Sequence, residues 1–152
     1  MAAGDITLFE EFAEQIGEEK HDFENDTLKL ALIDNVVTPT ASDATPQWGA
    51  GSGVDYDDNE VSTAGGYTAN GETLANVAFD EAAGVATLDA DDVVLAQNGS
   101  GFTDAYWGII YNDSATNKDC IGFVELDGPV SEQAGQVAIR WNASGILTVT
   151  VS

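Results

Sequence analysis

The chain has 152 residues, 43% of them hydrophobic, and sets 27 Asp and Glu against four Lys and Arg for a formal net charge of −23. That length and apolar content suit one folded domain, residues 1–152, and argue against global disorder. The charge repels nucleic-acid phosphates and anionic bilayers, so the reading assigns no nucleic acid and no membrane as partner.

Many carboxylates with few lysines suit saline surroundings, although an acidic solvated surface serves in any host. The single Cys120 rules out an intramolecular disulfide, and at the start of a predicted strand it is expected to behave as a small buried hydrophobe. With no apolar segment resembling a secretion signal or a membrane span, synthesis in a reducing cytoplasm is expected.

The first element reads as a short amphipathic helix over 6–19. Ile6, Phe9, Ala13 and Ile16 recur at helical spacing, and Leu8 and Phe12 widen the stripe. Asp5 is the candidate N-cap, Gly17 weakens the last turn, and Lys20 and His21 stand where they would complement the helix dipole. Asp26–Asp34 alternates as a half-buried strand, with Leu28, Leu30 and Leu32 on one side and Thr27, Lys29 and Ala31 on the other. Residues 35–58 then form a long Gly-, Pro- and Asp-rich loop, of a length that is unusual without its own structure. Trp48 within it either folds back onto the sheet or docks into a partner.

Glu60–Leu74 is too broken for a firm assignment, despite the turn signal Asn70-Gly71. Strands are expected at Thr73–Phe79 and Val85–Asp89 around a turn at Asp80–Gly84, and again at Val93–Leu95. Four more strand-like runs follow: Ala105–Tyr111, Ile121–Leu126, Gln136–Trp141 and Gly145–Val151, the last a half-exposed strand closing beside the others. Turns are expected at Asn112–Asn117, Gly128-Pro129 and Asn142–Gly145. In Ala105–Tyr111 both alternating faces are apolar, so both should be covered, by another layer of the same domain or by another subunit. The pattern gives a mainly β fold: an antiparallel β-sandwich or jelly-roll-like barrel with one short N-terminal α-helix.

No residue set announces catalysis, and no cofactor is implied. One His and one Cys cannot make a zinc set of those ligands, and no nucleophile elbow surrounds any Ser or Cys. Asp55-x-Asp57-x-Asn59 begins like an EF-hand loop, but Glu60 stands where glycine is required and Gly66 where the bidentate Glu belongs. Asp89-x-Asp91-Asp92 fails similarly, so solvated acidic turns are expected and no metal site. The glycines at 49, 51, 53, 65 and 66 lack the lysine and following helix of a phosphate cradle. A hydrolase hidden in the acidic surface would need paired carboxylates of raised pKa in a cleft.

One ordered set of short motifs is more specific. His21-Asp22-Phe23 precedes Asp26-Thr27-Leu28-Lys29-Leu30-Ala31-Leu32, followed by Glu60-Val61-Ser62 and Gly66 to Leu74. Leu88 to Val93, Trp107 to Tyr111, Ile121-Gly122-Phe123 and Trp141 to Leu147 complete it. This series resembles a family of small head-associated structural proteins of tailed phages. The resemblance implies a non-enzymatic virion protein, made in the host cytoplasm, that decorates the outer capsid surface as a cement protein. Its expected partners are the major capsid protein and two further copies in a homotrimer. Phe9, Phe12, Trp48, Tyr106 and Ile110 are the candidate subunit or capsid contacts. The alternative is a tail- or fibre-associated module, or a host-surface binder, with Trp48, Tyr56 and Tyr67 stacking on sugars.

Overall fold

The computed structural model describes residues 5–49 and 53–151. Residues 50–52 of the long loop, Gly51 among them, lie outside the described set. In chain order the elements are β1 (Ile6–Leu8), α1 (Phe12–Gly17), β2 (Leu28–Ile33), β3 (Glu72–Thr73), β4 (Ala78–Ala82) and β5 (Val85–Asp89). They continue with β6 (Val93–Leu95), β7 (Ala105–Asn112), β8 (Cys120–Val130), β9 (Val137–Ile139) and β10 (Leu147–Thr150). The fold is mainly β, its sheets antiparallel, with one short helix, as a sandwich-like reading requires.

A five-stranded sheet in the order β1-β8-β7-β2-β3 forms the centre. A three-stranded sheet, β10-β5-β4, and the ribbon β6-β9 accompany it. On one face of the central sheet, Leu28, Leu30, Leu32, Ile110 and Val124 enter a core shared with Leu88, Val93, Ile139 and Trp141. On the other face Ala31, Ile33, Ile109, Tyr111 and Phe123 meet Phe9, Trp48 and Tyr56. The doubly apolar strand is therefore covered on both sides by its own chain, and β2 is buried on both sides rather than half-buried.

The second cover is the long loop. Cys120 N–H donates to Pro46 O at 3.0 Å and Trp48 N–H to Lys118 O at 3.1 Å, so the loop runs beside the start of β8. A second rung joins the loop to itself, Gln47 N–H to Val54 O at 2.9 Å and Tyr56 N–H to Gln47 O at 3.2 Å. Trp48 and Tyr56 are both fully buried beneath it. A stretch that lacks strand periodicity is thereby held by backbone pairing and two aromatic anchors.

The structure corrects several boundaries. Helix 6–19 is two elements: Ile6–Leu8 pairs with Val124–Gly122 as a sheet edge, and only Phe12–Gly17 is helical. The overlap has a physical cause, because Ile6 and Leu8 satisfy a two-residue alternation as well as a helical stripe. The expected strand 73–79 divides, Glu72–Thr73 joining β2 and Ala78–Ala82 forming a hairpin with β5. The hairpin turn is Ala83-Gly84, both at positive φ, rather than Asp80–Gly84. Gly128-Pro129 lies within β8 instead of ending it. The final strand pairs with β5, Leu147 opposite Leu88, and not beside the central strands.

Gly71 is a tight point in this packing. Its φ is +88°, and an added methyl would stand 2.7 Å from Leu30 O, against the backbone of β2. Gly71→Ala should cost about 1–3 kcal/mol in urea unfolding. Gly99→Ala, at a position with open space around it, should change stability by less than about 0.5 kcal/mol. Equal effects would contradict the close approach of the 69–71 turn to β2.

Candidate functional site

The Asn70-Gly71 turn is where the loop, the sheet and the central strand meet. The Trp48 indole stacks on the Tyr111 ring, centroids 5.3 Å apart and planes 12° from parallel. Its Nε1–H donates to Asn70 Oδ1 at 3.4 Å, while the Tyr111 hydroxyl donates to Asn70 O at 2.6 Å. Asn70 N–H donates in turn to Glu60 Oε1 at 2.7 Å, and the Tyr67 hydroxyl donates to the same oxygen at 2.9 Å. Tyr67 also accepts the Leu32 N–H at 2.9 Å, which ties the cluster into β2. Burial, with carboxylates nearby, pushes both phenols well above the ordinary tyrosine value. Both therefore stay protonated and act as hydrogen-bond donors, a staple rather than proton-transfer groups.

Acidic groups on the same loop are likewise engaged. The buried Tyr56 donates its hydroxyl to Asp43 Oδ2 at 2.6 Å, and Thr40 donates both N–H and O–H to that carboxylate. Burial would raise Asp43, but these bonds hold it below the usual carboxylate range. Asp55 Oδ1 accepts Gly49 N–H at 2.6 Å. Asp57 next to it is raised, first by burial and then by the Asp55 charge and a hydrogen bond between the two carboxyls. This is a strained acidic pair, yet it lines none of the four clefts described in the molecule. The EF-hand-like start at Asp55 is in fact followed by a short 3-10 turn, Asp57–Asn59. Among the described residues no group of three or more His, Cys, Asp or Glu is placed to hold a metal ion.

His21 is not a partner of the helix dipole. It lies beyond the helix, stacked 5.8 Å from Phe23 with the two rings nearly parallel, and 5.6 Å from Phe12. Its Nε2 faces Gln15 Oε1 at 2.9 Å and its Nδ1 faces the Asn112 amide nitrogen at 3.3 Å. That pairing fits a neutral ring that donates from Nε2 and accepts at Nδ1. Burial lowers its pKa below 6.5, more than Asp119 and Asp26 raise it, and Lys20 lowers it further. Asn112, itself fully buried, also donates to Asp26 Oδ2 at 2.6 Å and to Lys20 O at 3.1 Å.

Of the candidate contacts, Phe9, Phe12, Trp48 and Ile110 are buried in the chain's own cores. Only Tyr106, on β7, keeps a partly open side chain. The reading of the others as partner contacts is corrected, because the cover they were expected to find in another subunit is supplied internally. Trp48, Tyr56 and Tyr67 are buried as well, which removes them as a platform for sugars. Cys120 is buried with its thiol raised well above the ordinary value, first by burial and then by Asp119, as expected of an inert core residue.

Sequence reasoning missed Glu132. Its side chain is fully buried, Oε1 accepts Gly66 N–H at 2.8 Å, and Oε2 has no hydrogen-bond partner among the described residues. A methyl on Gly66 or Gly101 would overlap that carboxyl, so these two glycines make room for an acid. In an acidic sequence one buried Glu has no local mark. All four basic residues are in ion pairs: Lys20 with Glu18, Lys29 and Lys118 with Asp113, and Arg140 with Asp92.

No family model, no curated protein and no solved structure matches the chain.

The His21 arrangement sets a pH dependence. Because the folded-state pKa is lowered, the neutral ring's contribution is complete above about pH 6.5 and is lost as pH falls through the folded value. An NMR titration of the single histidine should give a midpoint below 6.5 with the proton on Nε2; a midpoint at or above 6.5 would contradict the buried neutral ring. The Asp55–Asp57 pair works oppositely: Asp57→Asn should raise stability at pH 7, and the gain should vanish as the pH is lowered until Asp57 is protonated. Urea unfolding of the variant at both pH values checks it, and an unchanged midpoint at pH 7 would contradict the repulsion.

Proposed function

We propose that this chain is a virion structural protein that decorates and stabilises the outer surface of a tailed-phage capsid by bridging major capsid subunits, as a homotrimer and without an enzymatic step. The observation that carries the reading is where the family-like motifs fall. Asp26–Leu32 covers most of β2, Trp107–Tyr111 lies in the central strand β7, and Ile121–Phe123 falls at the start of β8. Gly66–Leu74 holds the Tyr67–Asn70 staple and Trp141–Leu147 leads into β10. Motifs that coincide with the framework support a shared scaffold more strongly than motifs scattered over loops would.

Charge and chemistry agree with that reading. A strongly acidic exterior favours the outer face of a shell over contact with packaged nucleic acid. The polar groups with unusual environments, Tyr67, Tyr111, Asp43 and His21, are spent on fastening loops to the sheet. The tail- or fibre-associated alternative loses its aromatic platform, since the three rings offered for it are buried.

The test is addition of purified protein to empty shells that lack it. The expected result is saturable binding at a fixed copy number, with the shells disrupting at a higher temperature. Light scattering should give a mass of three chains. No binding, or label confined to the tail, would overturn the decoration role; binding by a strictly monomeric chain would keep that role and remove the trimer.

A further inference from the structure

Two turns form the walls of one cleft. After α1 the chain folds over residues 19–26, and between β7 and β8 it turns at 113–119. Thr27 N–H donates to Ser114 Oγ at 2.9 Å and Asp113 N–H to Thr27 O at 2.9 Å, which fastens the two turns together. The cleft between them has a volume of about 380 Å³ and is lined by four acidic residues, Glu19, Asp22, Asp26 and Asp119, against one basic residue, Lys20.

Acceptors outnumber donors here. Asp119 is only 5% exposed, yet among the described residues no hydrogen bond or ion pair reaches its carboxylate. It borders the cleft. Asp26 uses Oδ2 to accept the Asp22 N–H at 2.8 Å and the Asn112 amide at 2.6 Å, while no donor among the described residues meets its Oδ1. The Asn112 amide has two hydrogens to give and also faces Lys20 O and His21 Nδ1, so three acceptors compete for them. Neither nearby ammonium makes up the deficit, because Lys20 is held by Glu18 at 2.9 Å and Lys118 by Asp113 at 3.4 Å. A carboxylate withdrawn from water without a donor is costly, and a cationic donor entering the cleft removes that cost.

The arrangement narrows the kind of cation. Among the described residues no three of His, Cys, Asp or Glu are placed to hold a bare metal ion. An ammonium is compact and strongly hydrated, whereas a guanidinium is planar, weakly hydrated and carries five N–H donors in a fixed fork. Such a fork suits two carboxylates that border one cleft, with charge-assisted bonds to each. We propose that this cleft binds a guanidinium group, from a free guanidine or an arginine side chain, between Asp119 and Asp26. The site goes beyond the decoration reading and does not depend on it.

The test uses the full chain with Nα-acetyl-arginine amide and its citrulline and lysine counterparts, the citrulline probe being neutral and nearly the same shape. The arginine probe should bind saturably, at least tenfold more tightly than either counterpart, and shift amide signals within 114–119. His21 should titrate at a lower pH in the saturated protein, because the ligand offsets the Asp119 charge that raises it. Asp119→Asn should weaken binding at least tenfold. Asp104→Asn, the same change of charge just before the opposite end of β7, should weaken it less than twofold. Should Asp119→Asn fail to fold, Thr116→Arg at the exposed rim serves instead, its own guanidinium filling the cleft and excluding the probe. Methylguanidinium separates the sources: affinity within threefold of the arginine probe supports a free guanidine, and weaker binding with the same shifts supports an arginine side chain. Equal affinity for the arginine and citrulline probes, equal losses in the two Asn variants, a stronger response to calcium chloride than to the arginine probe, or no binding would overturn the inference.

Discussion

The stacking of Trp48 on Tyr111 is the contact on which the rest depends. β7 is apolar on both faces, and a single layer of partner strands can cover only one of them. The loop brings Trp48 and Tyr56 over the uncovered face, where they join Phe9, Ile33 and Ile109 in a second core. Without that cover, Tyr111 and Ile109 would stand against water on a sheet edge-to-edge with nothing above it. An aromatic pair of this kind adds about 0.5–1.5 kcal/mol beyond the area it buries, and the indole also positions Asn70.

Polar groups complete what apolar burial begins. Asn70 receives or gives hydrogen bonds on its N–H, carbonyl and side chain, linking loop, turn and β7 through one residue. Glu60 accepts from two donors on the same oxygen, and Tyr67 passes the connection to β2. The same pattern recurs at Asn112 and at Glu132, each a buried polar side chain that fixes a neighbouring loop. These contacts are specific in geometry, which matters in a chain whose net charge works against compaction.

Much of this was legible in the residues themselves. Alternation in Leu28–Leu32 and Val85–Asp89, and the β-branched runs near 107 and 123, marked strands that are present. The doubly apolar face of β7 announced a second layer, and Trp48 was singled out as an anchor. Local pattern did not say which cover the sheet would receive, because a loop of irregular sequence carries its pairing in backbone groups that every residue has. β1 was hidden for a different reason, its three residues satisfying two periods at once. Glu132 and Asn112 were hidden because their partners lie far away in sequence and a polar residue looks the same whether it ends up solvated or buried. The Ile110 face assigned to a subunit contact is covered instead by the core around Leu88, Val93 and Trp141, while the loop covers the opposite face of Ile109 and Tyr111.

The central claim is that the chain closes both faces of its sheet by itself, through Trp48. Equilibrium urea unfolding of Trp48→Ala tests it most directly. The account predicts a loss of about 3–5 kcal/mol, the range for removing a fully buried large aromatic. A loss below about 0.5 kcal/mol, typical of an exposed side chain, would mean that the loop does not cover β7 in solution and would contradict it.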